Sequence, residues 1–97
     1  MNDRELALNL LKKMDARLEK DLAEVNQAIE AHDSEQTKLL AHKLKGSAAN
    51  LSAEPLRKSL EALEAAGADG NWEVILEKLG GVLAQVSEFR AEVAKLS

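Results

Sequence analysis

His42 lies in a stretch, LLAHKLKGSAANL over residues 39–51, whose residue types suit reversible group transfer better than core packing. A neutral imidazole is a competent nucleophile near pH 7, because an unperturbed pKa of about 6.5 leaves one ring nitrogen unprotonated. Lys45 follows at i+3, one helical turn on, so its ammonium can reach an anionic group attached to the ring. Gly46 follows at i+4, where any side chain would stand beside the imidazole and hinder an approaching partner. Reversible attachment of a phosphoryl group fits this set, since that reaction needs mainly in-line positioning and screening of charge on the equatorial oxygens. Lys45 supplies part of the screening. The chain has no G-x-x-x-x-G-K and no G-x-G-x-x-G, so a phosphoryl donor must bring the rest of the machinery.

The reactive reading requires His42 to face water. With His42 set at zero and an advance of about 100° per residue, Leu40, Leu44 and Leu51 fall near 160°, −160° and 180°. The apolar stripe is therefore opposite the histidine. Lys38, Leu39, Lys45, Gly46 and Ala49 fall within roughly 60° of it. Leu39 and Ala49 leave an apolar rim of the kind a docking surface uses, with Lys38 and Lys43 as flanking charges. Ser47 points inward, and its hydroxyl is expected to bond back to the Lys43 carbonyl.

The elements that must hold this site are helical. In the first segment Leu11, Met14, Leu18, Leu22, Val25 and Ile29 recur at spacings of three and four, predicting a helix over 3–31, with a break near 15 as an alternative. Ser34 is the expected N-cap of a second helix, over 34–51, and Ser52 that of a third, over 53–66, with Pro55 tolerated in the first turn. Leu56, Leu60 and Leu63 give the third helix its stripe. The segment GADGN at 67–71 is the clearest break. Beyond it Ile75, Leu79, Val82, Val86, Phe89, Val93 and Leu96 predict a long helix over 71–96. Gly80-Gly81 inside that helix costs about 1 kcal/mol per glycine relative to alanine and implies either a bend or close packing. No strand pattern is present. Short connections between long amphipathic helices imply an all-α, antiparallel up-down four-helix bundle forming one domain over 1–97.

Bulk properties narrow the function. At 97 residues and 45% apolar composition, the chain can bury one modest core. Nothing approaches the roughly 20 apolar residues of a membrane span, and no signal peptide is visible. The absence of cysteine excludes disulfide and thiol chemistry and is compatible with the cytoplasm. The net charge of −4 argues against nucleic acid as a partner. Yet residues 36–53 contain Lys38, Lys43 and Lys45 and no acid, which makes a positive island around His42.

These residues resemble a known family. AHKLKGSAANLSA, followed by Leu56, Leu60 and the pair Leu63-Glu64, is similar to the histidine-containing phosphotransfer (HPt) domain of bacterial multistep phosphorelays, and GNWE at 70–73 looks like that family's turn into the last helix. The resemblance covers most of the chain. It implies that His42 is the phosphoacceptor through Nε2, that Lys45 contacts the phosphoryl oxygens, and that Gly46 gives clearance to the incoming domain. It implies response-regulator receiver domains, and a hybrid sensor histidine kinase, as partners. A receiver would supply the Mg²⁺, so this chain binds no cofactor, holds no metal and has no ATP-dependent kinase activity of its own. It further implies a cytoplasmic setting, either free or as the C-terminal domain of a membrane-bound sensor kinase. The small rim suggests a monomer. One departure is Ser52, where the family usually has glycine.

Other readings compete. His32, beside Asp33 at the end of the first helix, suits a C-terminal cap, since a charged imidazole matches the negative helix end, or is plainly solvated. A metal site from both histidines lacks a dense ligand cluster. Trp72 is expected to pack the start of the last helix over the bundle end, with an exposed docking aromatic as the alternative. Glu19, Asp21, Glu24 and Glu30 read as a solvated face. A docking or inhibitor module for a kinase or receiver would need no histidine, a purely structural bundle leaves Gly46 unexplained, and an independent enzyme has little room for a pocket.

Overall fold

The computed structural model describes residues 3–51 and 53–95, without the side chains of Ala7 and Leu11. It contains four helices: α1 (Asp3–Glu30), α2 (Ser34–Asn50), α3 (Glu54–Asp69) and α4 (Trp72–Lys95), with no strand among the described residues. None of these helices is long and apolar enough to cross a membrane. α1 runs unbroken through residue 15 and, at about 1.5 Å per residue, accounts for most of the 47 Å long dimension of the molecule.

The apolar stripes meet in one core. Leu18, Leu22, Val25 and Ile29 of α1 are buried with Leu40, Leu44 and Ala48 of α2, Leu56, Leu60 and Leu63 of α3, and Ile75, Val82 and Val86 of α4. Leu79 and Phe89 pack against this core while partly exposed. Leu96 and the Leu11 side chain lie outside the described residues. α2 and α3 share the most extensive interface, whereas α1 and α4 barely meet.

The helix ends show where local signals compete. The N-cap of α2 is Asp33, whose Oδ1 accepts from the Gln36 amide at 3.0 Å; Ser34, the expected cap, is the first helical residue. Aspartate and serine cap comparably well, so the chain path out of α1 makes the choice. That path ends in a left-handed residue, His32 (φ 53°). Its amide donates to the Ile29 carbonyl, and the Asp33 amide donates to Ala28, a Schellman arrangement that satisfies the last carbonyls of α1. His32 thus caps α1 through its backbone, and its ring tilts against Trp72 with centroids 4.7 Å apart. Trp72 is half-buried and packs on the core at the start of α4. α3 has Ala53 at its cap position with no side-chain cap bond, and it continues to Asp69, beyond the expected end at 66, before left-handed Gly70 closes it. Ser52, the expected cap, lies outside the described residues.

Two kinds of glycine emerge. A Cβ on Gly67 would lie 3.0 Å from the Lys38 backbone nitrogen and 3.1 Å from its Cα, so this glycine lets α3 press directly on the α2 backbone. A Cβ on Gly80 or Gly81 would meet nothing within 4 Å, so close packing does not explain the pair, and α4 stays helical through it. Gly67→Ala should lower stability by about 1–3 kcal/mol, because overpacking against an immovable backbone outweighs the gain in helix propensity. Gly80→Ala and Gly81→Ala should each raise it by up to about 1 kcal/mol. Denaturant midpoints of the three variants check both signs.

Candidate functional site

α2 presents two faces. Leu40, Ala41, Leu44 and Ala48 are buried against the bundle, while the His42 side chain is 67% exposed on the opposite side. Leu39 is 52% exposed and Ala49 is exposed on the histidine's side. Gly46 is exposed, and a Cβ there would meet nothing within 4 Å. Nothing inside the molecule therefore requires glycine at 46. Ser47 is half-buried but makes no bond to the Lys43 carbonyl; among the described residues Thr37 and Ser59 bond back instead, to the carbonyls of Asp33 and Leu56.

The main feature that single-helix reasoning missed is Glu64, on α3. Its Oε2 lies 3.0 Å from His42 Nδ1, and its Oε1, shielded from solvent, lies 2.8 Å from Lys45 Nζ. The signal was available in the Leu63-Glu64 pair. Leu63 is fully buried, which turns the next residue to the rim of the α2–α3 interface.

Glu64 fixes the chemistry of the ring. The Lys45 ammonium, and to a lesser degree His42, hold its carboxyl below the ordinary value of 4.5, against a smaller opposing effect of burial. Glu64 is therefore ionised at neutral pH and can only accept hydrogen bonds. Nδ1 of His42 must then carry the proton, and in a neutral ring Nε2 keeps its lone pair.

The positive island is neutralised in three dimensions. Lys38 pairs with Glu35 at 3.1 Å, Lys43 with Asp21 at 3.7 Å, and Lys45 with Glu64. The acids come from just before the lysine-rich stretch, from α1 and from α3, which a count along residues 36–53 does not see. Asp21 is also not part of a solvated face: its side chain is 5% exposed. Among the described residues no group of three or more His, Cys, Asp or Glu side chains is arranged to hold a metal ion.

The lowered carboxyl of Glu64 has a stability consequence. Its contribution is complete above the ordinary carboxyl range and is lost as pH falls through the folded-state value, below 4.5. Glu64→Gln should flatten the acid limb of the stability profile between about pH 5 and pH 3 while changing its slope little above pH 6. Urea unfolding across that range measures it.

A family model described as "Hpt domain" matches residues 9–96, and no curated protein or solved structure matches. Nearly the whole chain, with the exposed His42 and its Glu64 and Lys45 contacts inside the matched span, is covered by that one model. The chain belongs to the Hpt domain family, the phosphotransfer modules of phosphorelays.

Proposed function

We propose that this chain is a phosphorelay intermediate, in which His42 accepts a phosphoryl group from the aspartyl phosphate of one receiver domain and passes it to a second receiver aspartate or back. One observation carries the reading: an ionised carboxylate at Nδ1 leaves the Nε2 lone pair as the ring's nucleophile on a side chain that is 67% exposed. In the transfer, the Nε2 lone pair attacks phosphorus in line, the N–P bond forms, and the P–O bond to the aspartyl carboxylate breaks. The donor carboxylate leaves with the electron pair. The Nδ1 proton stays on the ring, which becomes cationic, and Glu64 stabilises that charge as the orienting acid of a catalytic triad does.

Lys45 lies one turn from His42 and turns from Glu64 to the phosphoryl oxygens. Gly46 leaves room for the incoming domain. Leu39 and Ala49 form the apolar contact, with Lys38 and Lys43 at its margin. The receiver contributes the Mg²⁺ and the acidic pocket, and this chain contributes no nucleotide site. The scaffold is an antiparallel up-down bundle working as a monomer in the cytoplasm. Short turns and the paired positions His42–Glu64 and Lys38–Gly67 support opposite directions for α2 and α3.

Incubation with a phosphorylated receiver domain, Mg²⁺ and labelled phosphate should place acid-labile, base-stable label on the chain. His42→Ala should abolish it and His32→Ala should retain it; label persisting in His42→Ala would refute the assignment to His42, and a wild-type chain that takes up no label would leave a docking module as the better reading. Lys45→Ala and Glu64→Gln should each slow transfer by about tenfold or more. Gly46→Gln should raise the melting temperature, since glycine is the weaker helix former by up to about 1 kcal/mol, yet slow transfer from the receiver. Unchanged rapid-quench rates in that variant would defeat the clearance role.

A further inference from the structure

Asp21 and Thr37 are the only buried polar residues among those described. Thr37 is accounted for, because its hydroxyl donates to the Asp33 carbonyl at 2.9 Å. Asp21 is not. Its Oδ1 reaches only Lys43 Nζ, at 3.7 Å, and its Oδ2 is shielded from solvent with no hydrogen-bond partner among the described residues. A carboxylate withdrawn from water without close partners is costly, and a structure that keeps one calls for a reason.

Asp21 also lines a cavity of about 130 Å³ between α1, α2 and the start of α3. Leu18, Leu44, Ala48 and Leu56 make its inner walls apolar. Of the polar residues that line it, Arg17, Asp21, Ser47 and Asn50, only Asp21 is an anionic acceptor. An occupant that matches it has an aliphatic body and one strong donor. The donor is best a cation, because hydrogen bonds to an ionised acceptor are strengthened when the donor is charged. Oδ2 touches no solvent-sized space as it stands, and rotation about the soft χ2 torsion is the movement that would turn it to the cavity. Arg17 lines the same cavity one turn before Asp21, yet makes no ion pair with it.

We infer that this cavity is a binding site for a short-chain primary alkylammonium, with the ammonium on Asp21 and the alkyl chain against Leu18, Leu44 and Leu56. The site lies behind α2, on the face away from His42, and does not depend on the phosphotransfer reading.

Titration of the full chain with n-butylammonium chloride, followed by methyl ¹³C–¹H spectra, tests it. Saturable shifts should be confined to Met14, Leu18, Leu44, Ala48, Leu51 and Leu56, and sodium chloride at equal ionic strength should produce none. n-Butanol, of similar shape but uncharged, should bind the wild-type chain at least about tenfold more weakly. Asp21→Asn should weaken butylammonium binding by a similar factor. Absence of saturable shifts, as when Arg17 swings in to cover Asp21, would overturn the site. Equal affinity for butanol would overturn the role of the carboxylate, and since that comparison uses the wild-type chain it holds even where Asp21→Asn fails to fold.

Discussion

The close approach of α3 to α2 at Gly67 is the constraint on which the site depends. The missing Cβ lets the α3 backbone rest on the Lys38 backbone. Lys38 is one turn before His42 on α2, and Gly67 is one turn after Glu64 on α3. The spacing set at that contact is therefore the spacing across which Glu64 must reach. Its two oxygens meet Nδ1 of His42 and Nζ of Lys45 at hydrogen-bonding distances, a match that a wider interface would break. The most extensive helix pair in the bundle is thus the one that positions the imidazole.

Glycine has opposite meanings at two positions in this chain. At Gly67 its smallness is consumed by internal packing. At Gly46 the fold makes no use of it, and the space it leaves opens outward beside an exposed ring. A residue that weakens its own helix and satisfies no internal contact is explained by something that arrives from outside.

Much of this was legible along the chain. The stripes Leu18–Leu22–Val25–Ile29 and Leu56–Leu60–Leu63 follow from local periodicity, and the outward direction of His42 follows from the position of Leu40 and Leu44 on the same helix. What escaped was either a contest between adjacent residues or a contact between distant ones. Asp33 and Ser34 are both good caps, and the left-handed turn at His32 decides between them. Glu64 lies 22 residues from His42, so no helical spacing links them, and only the family resemblance of the Leu63-Glu64 pair points to it. The island of lysines was an artefact of counting along one segment, since Asp21 and Glu64 are brought to it only by packing.

The ion pair between Glu64 and Lys45 bears on how firmly this protein could hold its cargo. On the proposed function, a dianionic group arriving at Nε2 finds a single nearby ammonium that already has an anionic companion, and the acid remains within the same few ångströms. Lys45 must give up its pair with that carboxylate to meet the newcomer, and the attraction lost offsets part of the attraction gained. A store would be built the other way, with surplus positive charge and a deep well. A shallow well suits a way station, from which the cargo departs as readily as it came.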